Sequence, residues 1–108
     1  MRNTQKKTMK EEITPEELKK ERKRYVLIDV SEDGEFNEGH FPQAKNVPVS
    51  RFEWAERAGE IPKNQPVVVY CLHGIRSKRV LKFLQKKGYK NIQHLQGGCA
   101  AWKAYLVK

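Results

Sequence analysis

The sequence predicts an α/β domain: a mostly parallel sheet covered by helices on both faces. Two observations carry that reading. The runs Tyr25-Val26-Leu27-Ile28-Asp29-Val30 and Val67-Val68-Val69-Tyr70 are almost wholly apolar and rich in β-branched residues, as strands are when both faces of their sheet are buried. Strand-like runs also alternate with segments of helical periodicity, the pattern of parallel strands joined by crossover helices. At 108 residues and 38% hydrophobic content, the chain has material for one modest core and hence one domain.

The elements follow in order. Residues 1–11 are polar and charged with almost nothing to bury, and read as a mobile basic tail ahead of a domain at 12–108. In Thr14-Pro15-Glu16-Glu17, a capping threonine, a proline at the first helical position and a glutamate three residues after the cap mark a helix start. That helix is short and exposed, runs to about Arg22, and has Leu18 as its apolar anchor. After the strand ending at Asp29, Ser31-Glu32-Asp33-Gly34-Glu35-Phe36 reads as a turn entering a short helix, with Ser31 or Asp33 as the cap. Residues 38–48 form a loop leading to a short strand. A helix is expected over Arg51 to Ala58, burying either Phe52 with Ala55 or Trp54 with Ala58. Pro62, Asn64 and Pro66 mark the loop back to the central strand. Beyond Ser77, Val80, Leu81 and Leu84 share one helical face, and Lys86-Lys87-Gly88 is a helix stop. Asn91 to Leu95 is a last short strand, Gly97-Gly98 a tight turn, and Cys99 to Tyr105 a final helix.

The chemistry concentrates where the central strand gives way to the helix. Cys71 sits at that junction, the end of a parallel strand at which ligands collect in α/β sheets. In the loop Cys71-Leu72-His73-Gly74-Ile75-Arg76-Ser77, Gly74 is free to take a positive φ. The backbone N–H groups can then turn inward as an anion-binding nest, reinforced by the helix N-terminus. A sulfhydryl inside such a ring is favoured as the thiolate. Arg76 at the helix start can hold an oxyanion by a two-pronged hydrogen bond. A buried cysteine usually serves as a small hydrophobe. That role gains nothing from a glycine two residues before an arginine at a helix entry, so the loop as a whole points to a nucleophile facing an anionic substrate.

Three further residues bear on the site. Asp29 closes an apolar strand and must be hydrogen-bonded or paired; it either orders the next loop or supports the active loop from behind. His40 is a candidate partner for the thiol, although its place between a glycine and an X-Pro turn suits an imidazole that tethers loop backbone. His73 either lends positive character to the loop when protonated or is simply solvated.

Composition narrows the partners. A net charge of +9 favours anionic ones without identifying them. The basic run Arg76, Lys78, Arg79, Lys82, Lys86 and Lys87 comes with few exposed aromatics and reads as a solvated face, so nucleic acid is not an expected partner. Two cysteines far apart make no disulfide scaffold, and a reducing compartment suits them. No run approaches the ~20 apolar residues that span a membrane, and the N-terminus lacks the apolar stretch of a secretion signal. The expectation is a soluble, cytoplasmic protein. Cys71, His73, His94 and Cys99 follow no metal-ligand spacing, so no metal site is expected. Cys99 reads as a buried small residue at a helix start in preference to a resolving thiol.

Taken together, the chain resembles the rhodanese (sulfurtransferase) family in its single-domain form over roughly residues 12–106. The resemblance is carried by Leu27-Ile28-Asp29-Val30; by Gly39-His40-Phe41-Pro42 with Ala44, Asn46 and Pro48; by Cys71 to Ser77; and by Gly97-Gly98 with Ala101-Trp102. It implies a five-stranded parallel sheet flanked by helices, with Cys71 as the persulfide-forming nucleophile, Leu72 to Ser77 as the substrate loop and Arg76 closing it. Family members commonly carry Arg where this chain has Ser31 and Gly where it has Gln43. Counting from Cys71, Arg76 closes a six-residue loop, the size associated in this family with sulfur transfer; related phosphatases have one residue more. The implied activity moves a sulfane sulfur from thiosulfate or another persulfide donor to a thiol or cyanide, with no cofactor. The alternative is a non-turnover module that relays sulfur from, or binds, a partner protein.

Overall fold

The computed structural model describes residues 11–108, so the expected tail lies outside the described residues except for Glu11. Five strands form one sheet in the order β1-β5-β4-β2-β3, with every ladder parallel: β1 Glu12–Ile13, β2 Val26–Asp29, β3 Lys45–Asn46, β4 Val67–Tyr70 and β5 Ile92–Leu95. The helices are α1 Pro15–Lys20, α2 Asp33–Glu38, α3 Val49–Arg57 and α4 Ile75–Lys86, with 3-10 turns at Arg22–Arg24 and Cys99–Tyr105. None is long and apolar enough to cross a membrane.

Alternation along β4 divides the interior. Val67, Val69 and Cys71 join Phe52 and Ala55 of α3 and Val80, Leu81 and Leu84 of α4 in one cluster. Val68 and Tyr70 point the other way, packing with Leu18 of α1, Phe41, Leu95 and Cys99. The period of two thus decides that Cys71 faces the layer containing α4, while Tyr70 faces away and accepts the Phe41 amide at 3.0 Å.

Local signals account for most boundaries. Thr14 Oγ1 accepts the Glu17 amide at 3.1 Å and Glu17 Oε1 accepts the Thr14 amide at 3.0 Å, a reciprocal cap. Helix α1 ends at Lys20, two residues earlier than expected, and tightens into the 3-10 turn. Neither Ser31 nor Asp33 caps α2. The Ser31 amide is taken by Asp29 and the residue is buried, so the cap falls one residue on, at Glu32, whose amide donates to Glu35 Oε1 at 3.0 Å. Helix α3 starts at Val49, ahead of the expected Arg51, with a kink at that arginine. Of the two candidate pairs it buries Phe52 with Ala55, leaving Trp54 61% exposed. The final segment is a 3-10 turn broken at Trp102, where a helix was expected. The two-residue β1, absent from the sequence reading, pairs with β5 and ties Glu11 to the fold: His94 N donates to Glu11 O at 2.9 Å, and the Glu11 carboxylate meets Lys82 at 3.2 Å.

Candidate active site

The loop from Cys71 to Ser77 wraps back on its own first side chain. Gly74 adopts φ 97°, a left-handed conformation that an L side chain resists, and this turns its amide onto Cys71 Sγ at 3.1 Å. The Ser77 amide, in the first turn of α4, lies 3.4 Å from the same sulfur, and Ser77 Oγ lies at 3.7 Å. Sγ thus faces two backbone N–H groups at a helix N-terminus, donors that favour a negative sulfur, while Ser77 Oγ accepts from the thiol and donates to the Gly74 carbonyl at 3.3 Å. Among the described residues, the amides of Leu72, His73, Ile75 and Arg76 have no protein acceptor, so they remain available to an anion. Cys71 itself is only 1% exposed, so access to its sulfur runs through this loop.

Around the sulfur, the loop side chains divide. His73 is exposed and Ile75 stands out at 71% exposure, whereas Leu72 packs partly against the Tyr70 side of the core. Arg76 points its fork at Glu35 of α2, with bonds of 2.7 and 3.0 Å, and does not leave it open for an oxyanion. The pair holds the Glu35 carboxyl below its ordinary range and raises the arginine. Glu35 was missed by the sequence reading because 41 residues separate the two partners. In effect, the end of the loop is strapped to α2 by a two-pronged ion pair.

Asp29 is buried at the end of β2. Its Oδ1 accepts the Ser31 amide at 2.8 Å, and Asn46 Nδ2 spans the carbonyls of Asp29 and Ser31 at 3.0 and 2.9 Å. Burial pushes its carboxyl up, and Ser31 and Tyr70 oppose this. Asp29 therefore orders the next turn, and it also lines a cavity of about 430 Å³ shared with Glu35, Leu72 and Cys99, beside the loop. His40 holds loop backbone: its ring stacks on Phe36 at 3.7 Å, Nδ1 bonds Phe36 O at 2.8 Å, and its main chain pairs with Val107. Gln43 takes φ 68° where the family commonly has glycine, so the turn keeps the left-handed conformation despite the side chain.

A second glycine is set by contact. The β5 turn brings the Cys99 and Ala100 amides onto the carbonyls of Cys71 and Leu72, each at 3.0 Å. A Cβ on Gly98 would lie 2.2 Å from Leu72 O and 2.6 Å from Cys71 O. The Gly97-Gly98 turn therefore holds the active loop from below. Cys99 is buried and its thiol is pushed up to about 11, by burial first and Asp29 second, as befits an inert small residue. Both cysteines are free.

A thiol at the end of a parallel strand, ringed by main-chain donors at a helix N-terminus, is a site whose geometry suits an anion. Comparison with known proteins makes this specific. Residues 14–105 match the family described as the rhodanese-like domain. The chain is 38% identical over 90 residues to YqhL of Bacillus subtilis, covering 83% of this chain and 70% of that protein. It is 37% identical over 81 residues to thiosulfate sulfurtransferase GlpE of Coxiella burnetii, covering 74% and 73%. A 34% match to the probable adenylyltransferase/sulfurtransferase MoeZ of Mycobacterium tuberculosis covers 83% of this chain but 24% of that longer protein. The rhodanese-related protein of Thermoplasma volcanium superposes with a TM-score of 0.81 at 29% identity, over 91% of this chain and 98% of the other. The chain belongs to the rhodanese-like family of sulfurtransferases, and its five-stranded parallel sheet is the rhodanese-like fold.

Proposed function

We propose that the protein transfers a sulfane sulfur by double displacement at Cys71. The thiolate attacks the outer sulfur of thiosulfate or a similar persulfide donor; the new S–S bond forms as the old one breaks, and sulfite leaves with the electron pair. An acceptor thiolate or cyanide then attacks the outer persulfide sulfur, and Cys71 departs as the thiolate. The observation that carries this reading is the pair of amides, Gly74 and Ser77, directed at Sγ, because donors placed where charge resides stabilise both the thiolate and the persulfide. Leu72, His73, Ile75 and Arg76 would receive the donor through their unpaired amides, while Arg76, strapped to Glu35, keeps the ring closed. Asp29 and His40 act at one remove, by ordering the chain that abuts the loop. No cofactor enters the cycle, and a reducing, cytoplasmic setting suits the free thiol.

The test is a mass spectrum after thiosulfate treatment, in which a gain of ~32 Da, one sulfur, maps to Cys71 and vanishes in Cys71→Ala. Thiosulfate:cyanide turnover should be lost in Cys71→Ser. Loading of the wild type only by a persulfidated protein, never by thiosulfate, would instead favour a relay module, a reading supported by the near-complete burial of Sγ and by the likeness to MoeZ.

A further inference from the structure

We propose that His94, acting through Ser77 and backed by Glu12, accepts the proton of the Cys71 thiol and so sets the nucleophile as a thiolate. The sulfurtransferase reading enters only in what that thiolate is used for.

Strand register assembles the parts. His94 lies opposite Val69 of β4 on one side and Glu12 of β1 on the other, so the imidazole sits between the central strand and the sheet edge. Its side chain is buried, at 3% residue exposure, flanked in sequence by a leucine of the core. Nδ1 lies 3.2 Å from Ser77 Oγ, which lies 3.7 Å from Cys71 Sγ. On the far side, Nε2 is 3.3 Å from Glu12 Oε2, a distance for charge pairing, although the contact is not aligned as a hydrogen bond. The four side chains form one row from the buried sulfur to a half-exposed carboxylate.

A polar ring in this position costs free energy unless it is used, since Val69 opposite it and Ile92 two residues before it are both core residues. A proton on Nε2, toward the Glu12 carboxylate, leaves Nδ1 at 3.2 Å as an acceptor for the Ser77 hydroxyl, which also has the Gly74 carbonyl within reach at 3.3 Å. Ser77 Oγ in turn accepts from the thiol. Transfer along the row balances without any other reactant: the Sγ–H bond breaks as a new Oγ–H forms, and the original Oγ–H breaks as Nδ1–H forms. The product is a thiolate that accepts from the Gly74 amide, the Ser77 amide and the Ser77 hydroxyl, with an imidazolium beside Glu12.

Burial lowers the affinity of His94 for a proton, which leaves the ring unprotonated at rest and works against the imidazolium; the Glu12 carboxylate opposes this and is the group that holds the transferred proton on the ring. The other charges facing the ring are Glu11 beside β1 and Lys78 on α4, with Lys82 lining the same cleft. Glu11 is engaged by Lys82, so Glu12 and Lys78 set the balance at the ring.

The experiment is the pH dependence of Cys71 alkylation by iodoacetamide, located by peptide mass spectrometry, in wild type, His94→Gln and Glu12→Gln. Glutamine keeps a hydrogen-bonding side chain but takes no proton. The expected result is a midpoint raised by about one pH unit in His94→Gln, an alkylation rate at pH 6 lowered roughly tenfold, and a smaller shift in the same direction in Glu12→Gln. In a Ser77→Ala background, His94→Gln should add no further shift, because the row is already cut. Superimposable profiles for wild type and His94→Gln overturn the proposal. Should His94→Gln fail to fold, Glu12→Gln at the sheet edge decides, and an unmoved midpoint there overturns it equally. Alkylation needs no sulfur donor, so an unmoved profile with intact thiosulfate turnover removes the relay alone, whereas a shifted profile without turnover removes only the sulfurtransferase reading.

Discussion

Replacing Gly98 by alanine tests whether the glycine turn after β5 is the support on which the active loop rests. The residue has φ 74° and ψ −173°, a region open essentially to glycine, where an L residue costs about 1–3 kcal/mol. A Cβ there would also stand 2.2 Å from Leu72 O and 2.4 Å from Leu72 C, backbone atoms that cannot rotate aside. Relief requires moving one segment off the other, which strains or breaks the bonds from Cys99 N to Cys71 O and from Ala100 N to Leu72 O. Overpacking of this kind costs about 1–3 kcal/mol, giving a total of roughly 2–6 kcal/mol. Gly97→Ala is the control: it has the same φ of 74°, but its Cβ meets nothing within 4 Å, leaving only a backbone cost of about 1–2 kcal/mol. Urea unfolding should therefore give a clearly lower midpoint for Gly98→Ala than for Gly97→Ala at similar slope. Because the displaced carbonyls belong to Cys71 and Leu72, sulfur-transfer turnover should fall at least tenfold in the first (about 1.4 kcal/mol of barrier) and little in the second. Equal midpoints and full turnover in Gly98→Ala would refute the reasoning.

Glu35→Gln breaks the strap to Arg76. Since the carboxyl is held below its ordinary range by Arg76, its contribution is present above the usual carboxylate range and is lost as pH falls through its lowered value. With side chains 35% and 40% exposed, the loss at pH 7 should be at most about 1 kcal/mol, and urea midpoints of mutant and wild type should converge once the pH falls below the lowered carboxyl range of Glu35. Gln43→Gly relieves the left-handed turn against added chain entropy and should change stability by 0 to about +1 kcal/mol, whereas Gln43→Val should lower it by more than about 1 kcal/mol; thermal melts of the three proteins decide. Iodoacetamide at pH 8 should label Cys71 and leave Cys99, whose thiol sits near 11, unmodified, and a non-reducing peptide map after peroxide should contain no Cys71–Cys99 disulfide.

The sequence by itself determined whatever depends on neighbours along the chain. Apolar runs at 25–30 and 67–70 specified strands buried on both faces, Thr14 and Glu17 specified a helix start, and Gly74 ahead of Ser77 specified amides turned toward Cys71. The tertiary structure alone decided what long-range packing brings together. Arg76 meets Glu35 across 41 residues, Gly98 lies against the Leu72 carbonyl, and Glu12, too short a strand to carry a period, reaches His94 only because β1 pairs with β5. It also chose Phe52 over Trp54 for the core and moved the α2 cap to Glu32, because Asp29 had taken the Ser31 amide. The division has a physical cause. Backbone conformation and periodicity are local energies written in consecutive residues, whereas a side chain's partner depends on where a distant segment is carried by the sheet, and no spacing along the chain records that distance.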